Sequence, residues 1–272
     1  MPPPSAFKYM NKLQGQRVLV LGGSSGIGFA VAEAAVEHGA KVIISSSQEA
    51  RVQKAIEKLQ KHAQATQNSS VNIRGKACDV SNATTVESNL IELLDFSTAE
   101  GKLDHVVYTA GNGISIPILA NTNLDEIYSA SIVRQHAPTL LAKHLPKYVA
   151  QSTNSSFTLT SGGYARRPGP NWSVIAGIGA AVEGLTRGFA VDIKPIRVNA
   201  VRLGIIPTEF FDHIPAEQRQ IFIEASTKDN IMGKLGKPEE VAEAYLYSLK
   251  DTFTTGTVIT TNGGQLIGRS DE

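Results

Sequence analysis

The chain has 272 residues, 42% of them apolar, enough to bury one large α/β core or two small ones. Its formal net charge is +1, with no long run of like charge, which argues against nucleic acid or an anionic membrane as the main partner. A single cysteine, Cys78, excludes an internal disulfide and a cysteine-cluster metal site, and it points to a reducing compartment.

Residues 1–12 hold three prolines and few apolar anchors and read as a flexible arm. Met1-Pro2-Pro3-Pro4 offers neither the basic nor the apolar region of a secretory signal, and no stretch reads as a bilayer span, so a cytoplasmic location is expected. Strands and helices then alternate. Strands are predicted over 18–21, 42–45, 71–77, 103–109, 156–160, 196–201 and 258–261. Helices are predicted over 27–38, 50–64, 84–99, 124–148, 173–192 and 238–250. Pro138 is a candidate kink in the fourth helix. Residues 205–237 are irregular, with one short helix over 216–225. This alternation implies right-handed βαβ units, hence an α/β doubly wound parallel sheet of the Rossmann type in a single domain, 13–272. Ligands of such sheets sit beyond the carboxyl ends of the strands, where the strand order reverses.

The stretch Gly22-Gly23-Ser24-Ser25-Gly26-Ile27-Gly28 lies at such an end, between the first strand and the first helix. Glycine permits the tight turn, a close approach of backbone to a pyrophosphate, and close packing of helix on strand. The helix start adds free N–H groups and the positive end of its dipole. Ser45, Ser46 and Ser47 close the second strand, with Arg51 a turn further on. An acidic residue there would repel a 2′-phosphate. Three hydroxyls and an arginine favour one, so NADP(H) is preferred over NAD. The serines also suit a helix cap, and both roles can hold together.

With these motifs stand Cys78-Asp79-Val80, Thr109-Ala110-Gly111, Ser161, Gly184-Leu185-Thr186-Arg187, Pro195 to Val201, and Asn262-Gly263-Gly264. In this order they resemble the short-chain dehydrogenase/reductase family over nearly the whole chain. The resemblance implies that Gly22, Ser24, Ser25, Gly26, Ile27 and Gly28 hold the pyrophosphate and adenosine ribose. It implies that Asp79 and Val80 meet adenine, that Ala110 and Gly111 pack on the adenosine side, and that Gly204, Ile206 and Thr208 flank the nicotinamide. Asp79 also suits a capped turn.

The family's usual chemistry needs a tyrosine 13 residues after the serine and a lysine four further on. Counted from Ser161, those places hold Val174 and Ile178, and the usual asparagine of the preceding helix is Ser131. Tyr164 is followed four residues on by Pro168. Ordinary alcohol–ketone exchange is therefore expected to be poor. An iminium cation needs no proton as hydride arrives, so it remains a fitting substrate. Trp172 could wall such a cation by stacking or by cation–π attraction, or simply pack.

Arg134 and Arg166-Arg167-Pro168-Gly169-Pro170-Asn171-Trp172 narrow the resemblance to a fungal branch without the tyrosine and lysine. That branch includes a bifunctional iminium reductase and Diels–Alder cyclase of indole alkaloid biosynthesis. It carries an aspartate in this loop, whose place here is Gly169. Arg134 matches an arginine of the branch, and an ion pair with Asp125 or Glu126 is the alternative. The candidate catalytic residues are Ser161, Arg134 and Trp172, with no metal site. His136, His144 and His213 lack ligand spacing. Glu209 lies where the family has a lid. Ile205, Ile206, Phe210, Phe211, Ile214, Ile221 and Phe222 make 205–237 an apolar lid for a greasy small molecule. The resemblance implies a homodimer or homotetramer. An NADPH-dependent enzyme of secondary metabolism is expected, and a catalytically inactive cofactor sensor or scaffold is the alternative.

Overall fold

Seven strands pair in parallel: β1 (Arg17–Leu21), β2 (Lys41–Ser46), β3 (Ile73–Ala77), β4 (His105–Tyr108), β5 (Ser156–Gly162), β6 (Arg197–Leu203) and β7 (Val258–Thr261). They run β3-β2-β1-β4-β5-β6-β7 across the sheet, so the order reverses between β1 and β4. The computed structural model of the chain describes residues 8–66, 68, 71–111, 119–212 and 215–270. Most of the arm (1–7), Asn112, His213, Ile214 and the Phe210 side chain lie outside the described residues.

The described residues form eight α-helices, α1 (Gly26–Glu37), α2 (Glu49–Ala65), α3 (Val86–Ser97), α4 (Leu124–Ser131), α5 (Ala137–Tyr148), α6 (Ser173–Asp192), α7 (Ala216–Lys228) and α8 (Pro238–Lys250), which flank the sheet except for α7 at its carboxyl edge. Strands buried on both faces explain the continuous apolar runs. In β1, Leu19 and Leu21 face one layer with Leu90, Leu141 and Phe189, while Val18 and Val20 face the other with Val31, Val52 and Leu246. The two cores thus lie on opposite sides of one strand, as its two-residue side-chain period requires. Leu19, Leu90 and Leu141 have no exposed surface, and each such side chain stabilises the fold by about 1.5–3 kcal/mol. Leu21 lies level with Ser45 on one side and Tyr108 on the other, which brings the turns after β1, β2 and β4 to one edge.

The segment expected as one helix over 124–148 is divided. A π-helical turn, Ile132–His136, separates α4 from α5, and its closing Ala137 N–H donates to the Ile132 carbonyl five residues back. Pro138 follows at once, within the first turn of α5. Its ring would meet the carbonyl of Arg134 in a regular α-helix, and the wider turn relieves that conflict. The interruption therefore precedes the proline rather than falling on it. Helix α6 is by length and composition long and apolar enough to cross a membrane, contrary to the expectation above. Its apolarity reflects alanines, glycines and a face packed on the sheet, with Val182 and Phe189 in the core.

Candidate active site

A cavity of about 1480 Å³ opens at the carboxyl edge of the sheet, over the reversal between β1 and β4. This exceeds the roughly 300–1,000 Å³ of common small-molecule sites, so it has room for a dinucleotide and a second ligand. Every candidate residue named from the sequence lines it: Gly22, Ser24 to Gly28, Ser45 to Ser47, Arg51, Asp79, Val80, Ala110, Gly111, Gly204, Ile206 and Thr208, with Arg134, Ser161 and Trp172.

The glycine turn is shaped by close approach. Gly22 has φ +83°, and a Cβ there would lie 2.7 Å from the Ala110 nitrogen. A Cβ on Gly28 would lie 2.3 Å from the Gly22 carbonyl oxygen and 2.4 Å from Thr109 Oγ1. The cradle therefore exists only without those side chains. Ser25 is the extended N-cap of the twelve-residue α1 and makes no side-chain capping bond. The first amides of α1 thus stand at the cavity without an acceptor from their own cap, which suits a pyrophosphate.

At the β2 end, Ser45 is buried in the strand and Ser24 Oγ donates to Ser46 Oγ at 2.9 Å. The N-cap of α2 is Gln48, so the serines do not cap that helix. Lys54 and Lys58 join Arg51 along the cavity wall. Their spacing of three and seven residues from Arg51 puts all three cations on one stripe of α2, a signal the sequence reading passed over. Asp79 Oδ1 accepts from the Ser81 N–H at 2.9 Å and its hydroxyl at 2.6 Å, so the capped turn is real. Burial first, and then the Asp79 charge, pushes the Cys78 thiol up to about 12, which keeps it protonated and inert.

The opposite end carries the chemistry-bearing side chains. Helix α6 faces the cavity with Ile175, one residue later than the counted Val174. The same stripe continues through Gly179 to Glu183. Ser161, at the end of β5, is buried, and its hydroxyl points at the Gly179 carbonyl (3.4 Å) and Glu183 Oε1 (3.3 Å). Glu183 is buried and clasped by Arg202, with Nε to Oε1 at 2.7 Å and Nη2 to Oε2 at 2.8 Å; Arg166 Nε adds 3.2 Å. Burial pushes the Glu183 carboxyl up, but the Arg202 bond and charge and the Arg166 charge outweigh it and hold it below the usual carboxylate range. Trp172 caps α6 and meets the Tyr164 ring edge-on, 6.1 Å between centroids at 66°. Arg134, on the π turn, lays its guanidinium over Gly111, where a Cβ would lie 3.1 Å from Nη2. Gly169, in the loop before α6, has space: a Cβ there would lie 3.8 Å from the Trp172 indole.

The 205–237 segment forms the outer wall. It contains a short 3-10 turn (Glu209–Phe211) and α7, which is longer than expected and buries no side chain. Phe211 and Phe222 pair at 5.6 Å, and Ile221 is exposed beside them. Arg167 Nη2 pairs with Asp229 Oδ1 at 3.0 Å, and Arg167 also donates to the Gln265 carbonyl, so three separate segments meet at the rim. Glu209 is exposed at this wall. His136 meets the Tyr128 ring at a tilt of 41° and His144 bonds to Glu87. Among the described residues, no group of three or more His, Cys, Asp and Glu gathers as a metal site.

A family model described as an SDR-like Rossmann domain matches residues 9–267. The short-chain dehydrogenase/reductase malC of Malbranchea aurantiaca is 40% identical over 255 residues, covering 94% of this chain and 96% of that protein. The short-chain dehydrogenase/reductase fsr5 of Gibberella fujikuroi is 40% identical over 262 residues, covering 96% and 98%. The solved structure of MalC reductase/Diels-Alderase from M. aurantiaca superposes with a TM-score of 0.90 at 39% identity, over 96% of this chain and 100% of that one. A small-chain dehydrogenase solved in complex with NADPH superposes with a TM-score of 0.73 at 27% identity, over 94% and 100%.

Proposed function

The chain belongs to the short-chain dehydrogenase/reductase family, and we propose that it is an NADPH-dependent reductase of secondary metabolism acting on a cyclic imine or iminium. Cyclisation of Diels–Alder type, on an alkaloid-like apolar substrate, is its second capacity, a reading supported by the likeness to a reductase/Diels-Alderase. One observation carries the proposal. Helix α6 faces the cavity with Ile175 and carries neither tyrosine nor lysine, so a complete glycine cradle stands beside a helix without the usual pair.

NADPH bound in this cavity supplies a hydride. Gly22, Gly26 and the amides at the start of α1 hold the pyrophosphate, while Ser46 and Arg51 meet the 2′-phosphate. Asp79 and Val80 face the adenine. Gly204, Ile206 and Thr208 would hold the nicotinamide end, on the side of the cavity that Ser161 also lines. Trp172 and the aromatic lid wall the substrate and exclude water. A cationic carbon–nitrogen double bond is neutralised by hydride alone, so no acid is required of the chain. Arg134, with its guanidinium over Gly111, would orient a ligand on that side of the cavity. A homodimer or homotetramer in the cytoplasm completes the reading. It is supported by the outer face of α6, where Gly177, Gly184 and Gly188 have open space above them.

The test is NADPH titration followed by single-turnover oxidation with an N-methyl dihydroisoquinolinium and with cyclohexanone. Turnover of the iminium alone is expected. Tight binding without any oxidation would assign the chain to the alternative, a cofactor sensor or scaffold. Ketone turnover lost in Tyr164→Phe would make it an ordinary carbonyl reductase.

A further inference from the structure

Tyr164 sits in a slot made by two missing side chains. A Cβ on Gly162 would lie 2.2 Å from its ring Cε1, and a Cβ on Gly179 would lie 2.7 Å from Cε2. Neither collision is tolerable, so only glycine at both places admits the ring. Trp172 closes a third side, edge to face. The ring thus covers Gly179, one helical turn past Ile175 on α6, and itself lines the cavity.

The slot explains a ring and leaves the hydroxyl to be explained. Tyr108, Tyr148 and Tyr245 each spend the hydroxyl on a protein partner: the Val133 carbonyl, Asp95 Oδ1 and Thr160 Oγ1. Among the described residues, the Tyr164 hydroxyl has no hydrogen-bond partner. Burial, offset by the Arg134 charge and reinforced by Glu183, pushes its acidity down, so the group stays protonated and acts as a donor. Arg134, the nearby cation, is donor-only as well. A ligand that meets the Tyr164 hydroxyl must therefore offer it an acceptor oxygen. A flat cation on the Trp172 indole would lie within about one ring width of Tyr164, so that oxygen belongs on a short substituent of the reacting ring.

We propose that Tyr164 is a substrate-binding, specificity-determining residue whose hydroxyl donates a hydrogen bond to a carbonyl-type oxygen beside the carbon–nitrogen double bond of the substrate. The inference rests on the iminium reading above. No proton is transferred; the hydroxyl anchors and orients.

The experiment compares two probes on the NADP-loaded full chain by calorimetry: an N-methyl dihydroisoquinolinium, and the same ring bearing a carboxamide on the carbon next to nitrogen. The wild type should bind the carboxamide about threefold to tenfold more tightly, the usual range for one neutral hydrogen bond. Tyr164→Phe keeps the ring in its slot and should erase that preference, while affinity for the plain ring and for NADPH stays unchanged. Gly179→Ala, which displaces the ring, should erase it too. Absence of the preference in the wild type, or its survival in Tyr164→Phe, overturns the proposal. Oxidation of NADPH by the probes is read separately. A Tyr164-dependent preference without turnover would remove the reductase reading and leave the binding role standing.

Discussion

Replacing Glu183 by Gln tests the electrostatic base of the site. The Glu183 side chain is 4% exposed and that of Arg202 10%, and two bonds of 2.7 and 2.8 Å join them as a fork. Arg166, 59% exposed, adds little because water screens it. Removing one partner of a buried pair costs about 3–5 kcal/mol, since the other charge stays buried. Glutamine keeps one acceptor oxygen, so the lower end, about 3 kcal/mol, is expected. For a domain of this size that corresponds to roughly 6–12 °C in Tm. Urea unfolding and a thermal melt at neutral pH read both quantities. Because the folded carboxyl lies below its unfolded value of about 4.3, its contribution is complete above that pH and fades as pH falls through the folded value. Wild type and Glu183→Gln should therefore converge in acid. The double variant Glu183→Leu with Arg202→Met should recover most of the loss. A penalty below about 1 kcal/mol in Glu183→Gln, independent of pH, would show the pair to be solvated and the reasoning wrong.

Three further outcomes follow from the geometry. Gly28→Ala puts a Cβ 2.3 Å from a backbone oxygen, so NADPH affinity should fall about tenfold or more with the fold retained, and calorimetry showing an unchanged Kd would refute the cradle. Arg51→Ala should weaken NADPH about tenfold and leave NADH unaffected, because a charge-assisted bond to phosphate is worth about 1.5–3 kcal/mol; equal losses for both cofactors would remove the 2′-phosphate assignment. Light scattering at micromolar concentration should show a dimer or tetramer, and a monomer alone would refute the α6 interface.

Much of this architecture was legible because its signals are local. Alternating apolar runs and the Gly22 to Gly28 turn mark β1 and α1, and the cavity gathers the residues that the strand ends predict. What was hidden depends on partners distant in sequence. Glu183 is visible as an acid in the middle of an apolar helix, but Arg202, nineteen residues on, is not visible as its partner. The Tyr164 slot needs Gly162 and Gly179, which only the packing of a 3-10 turn (Gly163–Ala165) against α6 brings together. Linear spacing carries no record of a tightened turn.

The π turn before Pro138 divides one helical rod into two neighbourhoods with different freedoms. A single extra residue rotates a helical face by about 100°, so the stripe of α5 need not continue that of α4. Six side chains of α5 are buried, whereas α4 buries Ser131 alone and exposes Leu124 and Tyr128. The outer half is therefore freer to change in sequence, while the inner half stays committed to the sheet.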